Sequence, residues 1–144
     1  EGNAQLSWFR NGDFYSLTTA TSNNQELIFG RLGANDPKFN LRPDQCFIVR
    51  QKDSEEAIFV SIIEAHGTYS PVDEVPHYPY GNIKSVELLH NASNYTAIKW
   101  TTNSDKSWML FISNNNNSKT VKHTLEINDQ TYSWTGNYNL VKEN

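Results

Sequence analysis

Hydrophobic and polar residues alternate with a period of two along most of this chain, and no segment combines a helical period with helix-capping residues. Short polar turns separate the alternating runs. Asn11-Gly12 is the strongest of these turns, because a type I′ hairpin turn needs positive φ at both of its central residues. The pattern predicts strands at residues 6–10, 13–19, 26–32, 45–50, 57–65, 83–89, 95–101, 107–113, 121–127, 130–134 and 138–141.

About eleven short strands at spacings of about 8–12 residues predict an all-β fold, an antiparallel β-sandwich of jelly-roll-like type. The length of 144 residues predicts a single domain that spans residues 1–144. The nearly continuous apolar run 58–63 predicts a strand in the centre of a sheet. Residues 66–82 are rich in proline, glycine and aromatic residues, and a connection of this length predicts an ordered, functional loop.

Composition and charge exclude several function classes. The net charge of −4 argues against non-specific binding to nucleic acid, which requires a basic surface. No apolar stretch reaches membrane-spanning length, and no motif predicts a metal or other cofactor. Cys46 is the single cysteine, so no intrachain disulfide is expected, and its apolar surroundings predict a buried, unreactive thiol. The chain begins at Glu1 without a signal peptide, which predicts a mature or excised fragment.

The segment 31–42 (Arg-Leu-Gly-Ala-Asn-Asp-Pro-Lys-Phe-Asn-Leu-Arg) is polar and contains both glycine and proline, so we expect a loop. It begins and ends with arginine, and arginine binds carboxylates through two parallel hydrogen bonds. The candidate ligand-binding residues here are Arg31, Asn35, Asp36, Lys38 and Arg42. The alternative is that the two arginines pair with Asp36 and Asp44 and only anchor the loop.

A second candidate region begins at the predicted end of strand 57–65. Its candidate residues are His66, Tyr69, His77 and Tyr78. Histidine titrates near neutral pH and a tyrosine phenol can donate or accept a proton, so a His/Tyr pair suits proton abstraction beside a uronate carboxylate. The alternative for His66 is a hydrogen bond to backbone at the strand end. We expect His90 and His123 to lie on solvated strand faces.

The segments 31–42 and 64–71 (Glu-Ala-His-Gly-Thr-Tyr-Ser-Pro) together resemble the C-terminal part of heparinase II/III-like polysaccharide lyases. Within that group, alginate and oligoalginate lyases are the most similar. Segments 8–18 and 132–138 support the resemblance, which spans most of the chain. In that family an α/α toroid precedes an all-β region, and the catalytic Tyr, His and Asn come before the part matched here. The resemblance therefore implies a non-catalytic β-sandwich, and no catalytic residue is assigned to this chain.

These observations lead to a hypothesis with two alternatives. The hypothesis is a carbohydrate-binding module that recognises an anionic polysaccharide, alginate, and is attached to the catalytic domain of a parent lyase. The first alternative is an accessory packing domain without a ligand, which predicts an exposed apolar patch on one sheet face. The second is a lyase fragment that acts by β-elimination through His66 and Tyr69. Polysaccharide degradation implies secretion or a periplasmic location, and we expect no nucleic-acid or membrane partner.

Overall fold

A computed structural model of the chain describes the backbone of residues 2–34 and 42–143 and the side chains of residues 2–31 and 45–143. These residues form twelve β-strands and no helix, and seven strand pairings are antiparallel. The predicted all-β class is confirmed. The strands are β1 (Gly2–Arg10), β2 (Asp13–Thr21), β3 (Gln25–Ala34), β4 (Arg42–Gln51), β5 (Ser61–Ser70), β6 (Val75–His77), β7 (Ile83–Asn91), β8 (Tyr95–Thr102), β9 (Ser107–Ser113), β10 (Lys122–Ile127), β11 (Gln130–Thr135) and β12 (Tyr138–Lys142).

The chain divides into two compact units, of which the smaller spans Thr21–Phe59. This unit contains the β3-β4 ribbon, paired from Gln25 opposite Gln51 to Ala34 opposite Arg42. Apolar side chains lie on both of its faces. The rings of Phe29 and Phe47 pack against each other on one face, tilted by 48° at a centroid distance of 5.2 Å, and Ile48 lies on the other.

The larger unit comprises Gly2–Ala20 and Val60–Asn144. It holds one four-stranded sheet of order β1-β2-β5-β6, a second of order β12-β9-β8-β7, and the β10-β11 hairpin. Two of its turns follow directly from the sequence. Asn11 and Gly12 have φ values of +54° and +93°, and Asn128 and Asp129 have φ values of +51° and +63°. Both pairs have the positive φ at successive residues that the predicted hairpins require.

The main core lies between the β12-β9-β8-β7 sheet and the β10-β11 hairpin, which gives this part of the fold the two layers of a β-sandwich. The ring of Phe111 in β9 is fully buried and packs against Tyr132 and Trp134 of β11, at centroid distances of 4.7 and 5.5 Å. The expectation that His123 is solvated is wrong, because its side chain is only 4% exposed and its ring lies against Trp134. The residues next to His123 in the sequence are polar, so the pattern did not indicate that one side of β10 faces the core.

The β1-β2-β5-β6 sheet has a polar inner face. Ser16 and Thr18 of β2 are buried, and their hydroxyl groups are hydrogen-bonded to Ser7 (2.6 Å) and Gln5 (3.0 Å) of β1. Asn3 of β1 also accepts a hydrogen bond from the backbone N–H of β7, at 2.7 Å. Hydrogen bonds rather than an apolar core therefore hold this face together.

Two boundaries and one burial prediction made from the sequence were wrong. β5 begins at Ser61 instead of residue 57 and continues to Ser70, so it enters the predicted loop 66–82, which also contains β6. Arg31 lies in β3, as the predicted strand 26–32 required, but β3 continues to Ala34 and Arg42 belongs to β4 instead of a loop, because backbone pairing in a two-stranded ribbon does not require apolar side chains. Cys46 is only half-buried, because a two-stranded ribbon has no covering layer of its own.

Candidate functional site

A β-bulge shapes the strand that carries the second candidate region. β2 and β5 pair Asp13 with Thr68 and Tyr15 with Ala65, so that His66 and Gly67 together lie opposite the single residue Phe14. An extra residue of this kind bends the strand and changes the direction of a side chain. Gly67 has a φ of +76°, which is the left-handed conformation that glycine adopts without steric cost.

Both ring nitrogens of His66 are hydrogen-bonded within the protein. Nδ1 lies 3.0 Å from the backbone carbonyl oxygen of Tyr78, and Nε2 lies 2.8 Å from the Ser16 hydroxyl. A carbonyl oxygen can only accept, so Nδ1 carries the proton, and in the neutral ring Nε2 accepts from Ser16. Phe14 stacks beside the imidazole with an interplanar angle of 13°. The hydrogen bond to backbone, which was the alternative for His66, is therefore present.

Tyr78 has an unusual backbone conformation. Its φ is +53°, although it is a bulky residue and directly precedes Pro79, which disfavours helical conformations at the residue before it. Its side chain is 84% exposed. Backbone strain at a non-glycine residue persists only where the surroundings impose it, and such residues cluster at ligand-binding and catalytic sites.

The backbone after Tyr78 is fixed by Glu64, which lies two residues before His66 on the same face of β5. The Glu64 carboxylate accepts hydrogen bonds from the backbone N–H groups of Asn82 at 2.9 Å and Ile83 at 3.0 Å. The Asn103 side chain donates to the carbonyl oxygen of Gly81 at 3.0 Å. Nothing in the pattern of the sequence singled out Glu64, because a carboxylate in an alternating strand predicts a solvated face.

Tyr69 and His77 lie on the neighbouring part of the β5-β6 hairpin. Tyr69 is 39% exposed, and its ring packs nearly perpendicular to that of Phe9 at a centroid distance of 6.3 Å. His77 is exposed and pairs with Thr68 across the strands. The hairpin therefore holds three of the four candidate residues of this region, and Tyr78 directly follows it and contacts His66.

The first candidate region is described only at its ends. Arg31 is exposed and lies opposite Gln45 in the β3-β4 ribbon, and the backbone of Arg42 lies opposite Ala34. Asn35, Asp36 and Lys38 lie outside the described residues. Whether the arginines pair with Asp36 and Asp44 is therefore a prediction that the structure does not address.

The far end of the same ribbon carries a compact ion cluster. Glu26 accepts hydrogen bonds from Arg50, whose Nε lies at 3.1 Å, and forms an ion pair with Lys52. Hydrogen bonds from Lys52 and then Arg50 lower the pKa of Glu26 below its usual value of 4.5. These two cations are engaged by the protein's own carboxylate, so the candidate cations of this ribbon are those of segment 31–42.

Among the side chains of residues 2–31 and 45–143, no group of three or more His, Cys, Asp or Glu is arranged to hold a metal ion. The described part of the chain also contains no helix of the length and apolarity that crossing a membrane requires.

Comparisons with known proteins identify what the chain resembles. It is 30% identical over 145 residues to an exo-oligoalginate lyase from Saccharophagus degradans, a match that covers 98% of this chain. It is 26% identical over 133 residues to an alginate lyase from Stenotrophomonas maltophilia, across 92% of this chain. The chain is related to a segment of alginate lyases. No family model matches it.

This relationship confirms the resemblance predicted from segments 31–42 and 64–71. The chain spans about a fifth of the length of these alginate lyases, 19% of the first and 18% of the second. The relatives' activity as whole proteins therefore applies to this alginate-lyase-related segment only as a proposal.

Proposed function

We propose that the chain is a non-catalytic carbohydrate-binding module of an alginate-lyase-like protein, and that its ligand is an anionic polyuronate such as alginate. The observation that carries this proposal is the contact between two candidate residues: His66 holds Tyr78 in a strained conformation that leaves the tyrosine ring exposed. The names of the two relatives support a polyuronate as the ligand. Secretion or a periplasmic location follows from a polymeric substrate.

Each unit contributes its own contacts in this proposal. In the smaller unit, Arg31, Lys38 and Arg42 bind carboxylates, while Asn35 and Asp36 bind hydroxyl groups or shape the loop. In the larger unit, the ligand meets the exposed residues Tyr69, His77 and Tyr78, and His66 orients Tyr78. Single contacts are weak, since an exposed ion pair contributes about 0.2–1 kcal/mol and a charge-assisted hydrogen bond about 1.5–3 kcal/mol. Micromolar affinity needs about 8 kcal/mol, so several uronate residues must bind together.

Titration of alginate against the chain at low and high salt tests the ionic part of this proposal. We expect affinity to fall as salt rises, because exposed charges are screened over roughly 8–10 Å. Arg31→Ala should weaken binding and reduce the salt dependence. Lys122→Ala, which removes one positive charge from an exposed position of β10, is the control and should have little effect. Equal affinity at both salt concentrations would contradict an ionic contribution.

A second candidate function, docking onto the catalytic part of a lyase, is favoured by an apolar face of the β12-β9-β8-β7 sheet. One row of aliphatic side chains crosses the four strands and consists of Leu140, Leu110, Ile98 and Leu88. Leu140 in this row is 54% exposed. The indoles of Trp100 and Trp108 stack in the adjacent row at 6.1 Å. Leu140→Lys would weaken association with a lyase catalytic domain in sedimentation experiments if this candidate is correct, and leave alginate binding unchanged.

Residual lyase activity is the remaining alternative. β-Elimination at a uronate produces an unsaturated sugar that absorbs ultraviolet light, so incubation of the chain with alginate measures it directly. We expect no rise in absorbance, because both nitrogens of His66 are engaged by Ser16 and Tyr78, which leaves the imidazole no free acceptor for a substrate proton. A rise that disappears in His66→Phe would contradict a non-catalytic role.

A further inference from the structure

Residues 78–83 form a short arch that leaves the end of β6 and enters β7. Its sequence is Tyr-Pro-Tyr-Gly-Asn-Ile, which carries no charge. The side chain of Tyr80 is 86% exposed, as Tyr78 is 84% exposed, and Pro79 separates the two. The sequence places Tyr80 with Tyr69 and Tyr78 in the aromatic loop 66–82, but only the other two were named as candidate ligand-binding residues.

The arch is fastened at both ends by neighbouring residues of β5. His66 holds the carbonyl oxygen of Tyr78 at the start of the arch, and Glu64 holds the N–H groups of Asn82 and Ile83 at its end. Glu64 and His66 point to the same face because they are two residues apart in a strand. β5 therefore holds both ends of the arch, and Asn103, which follows β8, donates to the carbonyl oxygens of Gly81 and Asn82 between them.

Two glycines permit this close attachment. A Cβ atom at Gly67 would lie 2.1 Å from the backbone carbonyl oxygens of His77 and Tyr78, which no side chain can accommodate. A Cβ atom at Gly81 would lie 2.5 Å from Oε1 of Glu64 and 3.1 Å from Ser16. The backbone of the arch is thus in close contact with β5 and β2, while the side chains of its two tyrosines are exposed to solvent.

Two aromatic rings that are exposed on a fixed backbone have a small entropic cost of binding, because the backbone is already ordered. They contribute little to the core of the free protein. The Cα atoms of residues two apart are separated by at most about 7 Å, so both rings can contact neighbouring residues of one extended glycan.

We infer that Tyr78 and Tyr80 form a stacking subsite for the C–H faces of pyranose rings, and that His66 and Glu64 are the residues that position it. The inference rests on the proposed function in taking a glycan as the ligand. This subsite recognises the shape of the sugar ring rather than the charge of its carboxylate, because the arch itself contains no cation. Binding at the arch is therefore independent of salt, and a neutral glycan chain occupies it as well.

The test is a titration of the whole chain, observed by NMR of the tyrosine rings and by calorimetry, with two probes: a defined-length alginate oligosaccharide and a neutral β-1,4-linked glucose oligosaccharide. Both are added at low and high salt. We expect the ring signals of Tyr78 and Tyr80 to shift with both probes. Tyr80→Ala should weaken alginate binding about three- to tenfold, as expected for the loss of one aromatic contact, by the same factor at both salt concentrations.

Tyr138→Ala is the matched control, because Tyr138 is 63% exposed on β12 and outside the arch. It should leave the affinity for both probes unchanged. Glu64→Gln tests the positioning role, since an amide accepts from one of the two backbone N–H groups and opposes the other with its own NH₂ group. This variant should keep the tyrosine rings but speed amide hydrogen exchange at Asn82 and Ile83 and weaken binding.

The outcomes separate the inference from the proposed function. Alginate binding that Tyr80→Ala leaves intact would overturn the inference alone. Ring shifts with the neutral oligosaccharide in the absence of alginate binding would support the stacking subsite and overturn a preference for polyuronate. If neither probe shifts the two tyrosine rings, the inference fails, and if no alginate binding occurs as well, the proposed function fails with it.

Discussion

The imidazole of His66 donates its Nδ1–H to the backbone carbonyl oxygen of Tyr78 across 3.0 Å, and so joins the middle of the β5-β6 hairpin to the strained residue that follows it. The other nitrogen meets Ser16, a hydroxyl with no exposure to solvent. A histidine with this pair of partners is a fixed structural link, and its surroundings determine which nitrogen carries the proton.

The first prediction concerns this link. Nitrogen-15 NMR should show the neutral His66 ring protonated at Nδ1, because only that tautomer donates to a carbonyl. His66→Phe should lower the free energy of unfolding by about 1–3 kcal/mol, since the buried Ser16 hydroxyl loses an acceptor. His77→Phe, at an exposed edge-strand position, is the control and should change stability by no more than about 0.5 kcal/mol. Equal losses in both variants would contradict the assigned link.

The second prediction compares two glycines that both have positive φ. Gly67→Ala should be more destabilising than Gly12→Ala in chemical denaturation. Both variants incur the cost of a left-handed residue, roughly 1–2 kcal/mol. Only at position 67 does the added methyl group meet backbone atoms, whereas nothing lies within 4 Å of it at position 12. Similar losses of stability in the two variants would show that the backbone of the β5-β6 hairpin shifts to accommodate the methyl group without a measurable loss of stability.

The third prediction concerns pH and the ion cluster of the β3-β4 ribbon. The pKa of Glu26 is lowered from 4.5, first by its hydrogen bond with Lys52 and then by Arg50. The ionised form is therefore favoured in the folded state, and its stabilising effect is complete above about pH 4.5 and is lost as pH falls through the lowered pKa. Carbon-13 NMR titration of the Glu26 carboxyl measures this value.

Lys52→Met provides the matched test, because it removes the largest single cause of the lowered pKa and keeps a long side chain. The pKa of Glu26 should rise toward 4.5 in this variant and also in Arg50→Met. An unchanged titration in both variants would mean that the cluster does not persist in solution.

The fourth prediction concerns the buried polar atoms of the main core. The Tyr95 hydroxyl lies 3.3 Å from Nδ1 of His123. Nε2 of His123 and Nε1 of Trp134 are buried without a hydrogen-bond partner among the described residues. Tyr95→Phe should cost about 1–3 kcal/mol, because it leaves a second histidine nitrogen unpaired in the core.

A double-mutant cycle isolates that effect. In a His123→Leu background the nitrogen is absent, so Tyr95→Phe should cost markedly less than it does in the unaltered chain. Equal costs in the two backgrounds, measured by chemical denaturation, would show that the hydroxyl and the imidazole are not coupled.

The sequence predicted those features that depend on local pattern. Alternation identified nearly every strand, and the positive φ that Asn11-Gly12 requires was predicted from residue type. The period of two also predicted which residues of β9 share a face. Trp108 and Leu110 lie on the same face, and each is opposite a β8 residue of that face. The resemblance to alginate lyases likewise lies in residue order, and the comparisons confirm it.

What the sequence did not predict depends on contacts between residues distant along the chain. His123 looks solvated in its own strand, but the β10-β11 hairpin packs that side onto the sheet. Glu64 looks like a surface carboxylate, but its oxygens accept from backbone N–H groups 18 and 19 residues away.

The sequence alone therefore determined the all-β class, the turns and the relationship to alginate lyases, because each is written in neighbouring residues or in residue order. Only the tertiary structure decided that β5 fastens the arch 78–83 and exposes Tyr78 and Tyr80. The physical reason is that His66 donates to the carbonyl oxygen of Tyr78 and Glu64 accepts from the N–H groups of Asn82 and Ile83. These residues are 12 to 19 positions apart, a separation that no local periodicity encodes.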